Sequence, residues 1–217
     1  MEHLLVAPAD SRALLVLAHG AGAGMRHAFL ERIAQALAAR KVATFRYEFL
    51  YMEKGGGRGG RPDPPAVAAA RVREAVAAAA VAAPGLPLFA GGKSFGGRMT
   101  STAAAESPLP GVRGLVFLGF PLHPPGQPGI GRAEHLDRVT VPMLFLQGTR
   151  DTFAQLPLLE PVIARLKPRA TLHLIDGGDH SFKVPKSSGR TPEDVMNELA
   201  DTIAAWTSDV RPLTSDV

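Results

Sequence analysis

The sequence predicts a single α/β domain, a doubly wound and mostly parallel sheet of minimal size with no cap domain. Three observations lead there. Short apolar runs alternate with longer segments of helical period. Most of those runs are apolar at nearly every position, as strands covered on both faces are. No repeat of about 20 to 50 residues and no second composition regime divides the 217 residues.

In chain order, the run 13–18 reads as the first strand, and a Gly-rich loop at 19–24 follows it. Phe29, Ile33 and Leu37 recur at helical spacing and mark the first helix. The run 42–47 is a second strand, and 54–65, rich in Gly, Arg and Pro, is a loop carrying Lys54, Arg58 and Arg61. Residues 65–83 are almost all Ala and Val, so helix propensity is high although the apolar face is poorly defined. A strand at 87–91 leads into a helical stretch at 97–105, and a further strand at 114–118 precedes a Pro-rich loop, 120–132. The strand 143–147 is followed by a helix whose buried stripe is Leu159, Val162, Ile163 and Leu166, and then by the strand 171–175. After a loop at 181–190, Thr191 and Pro192 supply an N-cap and a first-turn proline for a helix with Val195, Leu199, Ile203 and Trp206 on its inner face. Beyond Trp206 the chain turns polar and repeats Thr-Ser-Asp-Val, so the domain is read as 1–206 and the tail as 207–217.

Composition narrows the function classes. Cysteine is absent, which excludes disulfides, a thiolate nucleophile and Cys-based metal sites. The net charge is +4, but the basic residues are spread along the chain, so no nucleic-acid partner is expected. No apolar run approaches the roughly 18 residues of a membrane span, and residues 1–10 lack a basic stretch followed by an apolar one; the expected location is cytoplasmic, with no membrane partner. No histidine pair has metal-ligand spacing with a carboxylate beside it, so neither metal nor other cofactor is expected.

Chemistry concentrates at Gly92-Lys93-Ser94-Phe95-Gly96, a G-x-S-x-G pattern placed between an apolar run and a helical stretch. A tight strand-to-helix turn that lifts Ser94 into an exposed position needs small neighbours, and Gly92, Gly96 and Gly97 are small. A phosphate-binding loop is not the reading, because Pro87 stands where that pattern requires glycine. A serine hydroxyl is a weak nucleophile, so a base and a group to orient that base are needed. His180 is the histidine that lies between the last strand and the last helix. Asp151 follows the strand 143–147 and fits the order serine, acid, histidine, with Asp176 and Asp179 as competitors close to His180 in sequence. Parallel strands put their carboxyl ends at one edge, where Ser94, Asp151 and His180 would converge.

The oxyanion of such a site needs two aimed N–H donors, expected from Phe95 and from Ala21, with Gly22 as the alternative to Ala21. His19 is read as a brace for that loop. Gly22, Lys93, His123 and Tyr51 are candidate substrate contacts from loops on the same edge.

Through His19 to Gly24, Gly91 to Gly97, Gly148-Thr149-Arg150-Asp151 and Gly178 to Phe182, nearly the whole chain resembles the α/β-hydrolase superfamily, and within it the small dienelactone-hydrolase-like branch that includes the KANL3/Tex30-like proteins. The resemblance implies an ester-type hydrolase. Dienelactone hydrolases proper use a cysteine nucleophile, and here that position is Ser94. The expected activity is hydrolysis of a small ester or related carboxyl derivative through an acyl-serine intermediate, with a small-molecule substrate. Two alternatives use the same fold: a catalytically idle module that binds a partner, and an acyltransferase with the same three residues.

Overall fold

The computed structural model describes residues 1–55 and 60–210. Seven strands form one sheet in the order β1-β3-β2-β4-β5-β6-β7. They are β1 (His3–Val6), β2 (Ala13–Ala18), β3 (Val42–Tyr47), β4 (Leu88–Lys93), β5 (Val112–Leu118), β6 (Met143–Gly148) and β7 (Ala170–Ile175). Every pairing is parallel except β1 with β3. The helices are α1 (Ala28–Ala38), α2 (Leu50–Lys54), α3 (Pro65–Ala82), α4 (Phe95–Glu106), α5 (Leu156–Leu166) and α6 (Pro192–Asp209), with a 3-10 helix at Gly131–Arg138.

Alternation along the buried strands divides the core into two layers. From β2, Leu14, Val16 and Ala18 face the layer that holds α3, α4 and α5, while Ala13, Leu15 and Leu17 face α1 and α6. The doubly wound class read from the sequence is therefore the observed one, and all six predicted strands are present, with ends shifted by at most two residues.

Two elements escaped the sequence reading for identifiable reasons. β1 is a four-residue edge strand with every second side chain exposed, so it lacks the continuous apolar signal of the covered strands. α2 is a five-residue helix packed through Tyr51 and Met52, between the strand 42–47 and the loop read from residue 54, and is too short to show a helical period. The expected tail also begins too early. α6 continues to Asp209 with Thr207 buried on its inner face, so its packing outlasts the apolar pattern that ended at Trp206. Residues 211–217 of that tail, and Arg58 of the basic loop, lie outside the described residues.

The Ala-rich α3 shows no contrast of faces because small apolar residues surround it, yet Ala68, Val72, Ala75, Val76 and Ala79 are buried against the sheet. Its buried Arg71 donates to the carbonyl of Glu48 at 2.9 Å and pairs with Glu53 and Glu74, tying α3 to α2 and to the end of β3.

The chain winds from β2 to β3 in one direction and to β4 in the other. The sheet therefore reverses its order between β2 and β4, and a crevice opens at their carboxyl ends. The crossing is tight. A Cβ on Gly96 would lie 2.5 Å from the carbonyl oxygen of His19 and 2.7 Å from Cβ of Ala18. We expect Gly96→Ala to cost about 1–3 kcal/mol, seen as a fall of several degrees in Tm, because backbone and not a flexible side chain must give way. An unchanged Tm would mean that the crossing is looser than described.

Candidate active site

Ser94 stands between β4 and α4 with φ +49° and ψ −112°, a left-handed backbone that non-glycine residues seldom adopt. Its N–H is held by the carbonyl of Leu118 at 3.1 Å, and α4 starts at the next residue. The turn presents Oγ to the crevice rather than to the core. Oγ lies 2.9 Å from Nε2 of His180, and Nδ1 of His180 lies 2.7 Å from Oδ2 of Asp151.

Three loops meet to make these contacts. Asp151 follows β6 and is 2 % exposed, so its carboxylate is fixed by bonds rather than by water. Oδ1 accepts the N–H of Phe153 at 2.8 Å, and Oδ2 accepts from the amide of Gln147. The oxygen of that same amide accepts the N–H of Phe120 at 2.9 Å, so Gln147 ties the acid to the neighbouring strand's loop. The sequence reading passed over Gln147. Its signal is that of a polar residue in the otherwise apolar run of β6, buried at the carboxyl edge.

His180 leaves a loop braced by Asp179, whose Oδ1 accepts the N–H groups of Ser181 at 2.7 Å and Lys183 at 2.9 Å. Asp179 is thus engaged in its own turn, Asp176 is exposed, and Asp151 is the carboxylate in contact with the imidazole. Phe153 packs on the His180 ring with centroids 4.5 Å apart. With the proton on Nδ1 facing the carboxylate, Nε2 is free to accept from the Ser94 hydroxyl.

The Gly-rich loop borders the Ser94 turn: a Cβ on Gly20 would lie 4.0 Å from Cβ of Ser94. The buried His19 ring holds this loop. Its Nε2 accepts the N–H of Phe49 at 3.0 Å and lies 3.0 Å from Oε2 of Glu48, and its Nδ1 is 2.8 Å from the carbonyl of Gly20. Glu48 in turn accepts the N–H of Met25 at 3.0 Å. Tyr51 donates its hydroxyl to the carbonyl of Ala21 at 2.9 Å. Tyr51 therefore supports the loop from behind. Phe95, as the first residue of α4, has an N–H with no acceptor inside the helix.

Two adjoining cavities lie at this edge, and Ser94 lines one of them. One, of about 520 Å³, is lined by Ser94, His180, Phe95, Ala21, Arg98 and Arg132 among others. The other, of about 790 Å³, runs between α1 and α6 over Phe29, Leu30, Phe182, Val195, Met196 and Leu199. They share Gly20, Gly22, Lys93 and Ser181 as walls. His123 lines neither. Its ring is buried, with Nδ1 2.8 Å from the carbonyl of Pro124 and Nε2 3.1 Å from Oε1 of Gln155, because the Pro-rich loop folds the ring inward while its neighbours Pro121 and Pro125 face the cavity. From the basic loop, Pro62 and Asp63 reach the cavity wall, and Arg61 is exposed away from it. Among the described residues no group of three His, Asp or Glu side chains is placed to hold a metal ion, and no described helix is long and apolar enough to cross a membrane.

Lys93 separates the cavities. Its ammonium donates to the carbonyl of His180 and lies over the Phe182 ring, 5.2 Å from the centroid. Burial lowers this ammonium to about 8, and the carboxylates of Asp151 and Asp179 offset only part of that effect. In the unfolded chain the group returns to about 10.5, so between those values the unfolded state binds more protons and stability rises with pH. Lys93→Met is therefore expected to be more stable than the native protein at pH 7, with the difference closing as pH rises from about 8 to about 10.5. Its kcat is expected to fall on the order of ten- to a hundredfold as the His180 carbonyl loses its clamp. Urea titrations across that pH range test it, and a gap that stays constant would show that the buried charge is not its cause.

The arrangement has relatives. The model of the α/β-hydrolase domain family matches residues 11–208. Among solved structures, a dienelactone hydrolase from Anabaena variabilis superposes with a TM-score of 0.74 at 22% identity, covering 96% of this chain and 91% of that one. A serine hydrolase homologue from Coxiella burnetii gives 0.71 at 17% identity, covering 94% and 89%. Est1E from Butyrivibrio proteoclasticus, solved with ferulic acid bound, gives 0.69 at 16% identity, covering 96% of both. At these identities the solved structures speak for the fold, and the family match spans nearly all of the sequence: the chain belongs to the α/β-hydrolase domain family.

Proposed function

We propose that this protein is a serine hydrolase that cleaves a small ester or related carboxyl derivative through an acyl-serine intermediate. The observation that carries the reading is the unbroken relay from Ser94 Oγ to His180 Nε2, and from His180 Nδ1 to Asp151, at the mouth of a cavity. Ser94 Oγ attacks the carbonyl carbon while His180 takes its proton, and Asp151 stabilises the imidazolium that forms. The carbonyl oxygen, now negative, is received by the N–H groups of Phe95 and Ala21, with the amino end of α4 adding its positive potential. Collapse of the tetrahedral species breaks the bond to the alcohol, which leaves with the proton from His180. Water then attacks the acyl-serine with His180 again as base, and release of the acid restores Ser94. No cofactor enters the cycle.

The cavity that Ser94 lines and the larger one adjoining it at Lys93 suit the acyl and alcohol arms of one ester. Among the described residues the insertions at this edge carry only short helices, α2 and the 3-10 helix at Gly131–Arg138 being the longest. Neighbours in fold described as esterases are consistent with the same chemistry.

A fluorophosphonate probe tests the reading. Native protein is expected to be labelled at Ser94, located by mass spectrometry, and Ser94→Ala to remain unlabelled. Absence of labelling in folded native protein would favour the idle, partner-binding alternative. Adding alcohols during turnover separates hydrolysis from acyl transfer, since a transferase would divert most of the acyl group to the alcohol.

A further inference from the structure

The cavity at Ser94 holds two cations that ester cleavage itself does not use. Arg98 lies four residues after Ser94, about 6 Å along the α4 axis, and lines the cavity together with Arg132 of the 3-10 helix. Among the described residues neither has a carboxylate within ion-pair distance. Nε of Arg98 is buried without a hydrogen-bond partner, and the guanidinium stands 5.7 Å from the centroid of the Phe95 ring. Arg132 spends one N–H on the carbonyl of His123 at 3.0 Å. The acidic side chain in the described lining, Asp63, is engaged by the N–H of Tyr51 at 3.1 Å. Burial lowers Arg98 to about 10, and the nearby charge of Arg132 adds to the effect; burial also lowers Arg132.

Two like charges, partly removed from water and left without counter-ions, destabilise the fold unless something else gains from them. A planar guanidinium with unused donors suits a carboxylate or phosphate, which it can bind through two parallel N–H bonds. We infer that Arg98 and Arg132 form an anion subsite, so that the substrate is an ester bearing a second, negatively charged group a few bonds from the scissile carbonyl. The ester part of this inference rests on the hydrolase reading; the anion site does not require Ser94 to react.

The test therefore has a binding arm and a kinetic arm. In calorimetric titrations at low salt, glutarate and inorganic phosphate are the probes, added to native protein and to Ser94→Ala, Arg98→Met and Arg132→Met. Native and Ser94→Ala are expected to bind one anion at least about tenfold more tightly than either arginine variant. Tighter binding of glutarate assigns a carboxylate, and tighter binding of phosphate assigns a phosphate group. In the kinetic arm, native kcat/KM for the p-nitrophenyl half-ester of glutarate is expected to exceed that for neutral p-nitrophenyl valerate by at least about tenfold, chiefly through KM. Arg98→Met should bring that ratio to about one or below. Equal anion affinities across native and arginine variants, or a native preference for valerate, would overturn the subsite while Ser94-dependent valerate turnover still upheld the hydrolase. Anion binding without turnover of either ester would do the reverse.

Discussion

Ser94→Ala is expected to lower kcat for an activated ester by about 10⁴- to 10⁶-fold while leaving stability within about 0.5 kcal/mol of native. The chemical loss is near total because no second hydroxyl lies within reach of His180 Nε2 in the described contacts, and the oxyanion donors alone give only residual rate enhancement. Stability is spared because Ser94 Oγ makes its one described hydrogen bond to His180, at the cavity and not in the core. Alanine tolerates φ +49° no worse than serine does, so the strained turn is unchanged. Steady-state turnover with a short p-nitrophenyl ester and a thermal melt together decide the matter. Retention of more than about a hundredth of native kcat would mean that Ser94 is not the nucleophile.

Asp151→Asn should have the second largest effect, a fall in kcat of about 10⁴-fold with little change in fold. The carboxylate accepts from Phe153 N–H and from the Gln147 amide, and it faces the Nδ1 of His180. An asparagine of the same shape turns an N–H toward that ring nitrogen. The imidazole then carries its proton on Nε2, pointing at Ser94, and can no longer accept the hydroxyl proton. The discriminating readout is fluorophosphonate labelling rate alongside kcat. Both should fall together, since both need a base at Ser94. Near-native labelling in Asp151→Asn would remove the acid from its assigned role and reopen the question of Asp176 and Asp179.

The relation between pattern and site differs from residue to residue. Ser94 was legible because its turn demands glycines on both sides, and that demand is written locally as Gly92, Gly96 and Gly97. His180 and Asp151 were legible because chain order and position after a strand follow from the parallel sheet, whose strands end at one edge. Asp179 is held in its own turn, its carboxylate used on the N–H groups of Ser181 and Lys183, which its closeness to His180 in sequence does not reveal. Gln147, Arg98 and Arg132 carried no local demand. Each is an ordinary polar residue in its own segment, and each acquires significance from what stands across a gap: Asp151 for the first, the serine cavity for the two arginines. His123 is the converse case, a histidine in a suitable loop whose ring the proline-rich backbone turns inward.

By itself the sequence determined the layered α/β class and six of the seven strands, and it singled out Ser94, Asp151 and His180, which the fold brings into contact, since these readings depend on periodicity, glycine placement and chain order, all read directly along the chain. Tertiary structure alone decided the antiparallel edge strand β1, the length of α6, the two cavities and the pairing or isolation of every charge beside them. Those outcomes depend on which side chains meet across distances of tens of residues, and no local propensity records a counter-ion that a fold leaves out.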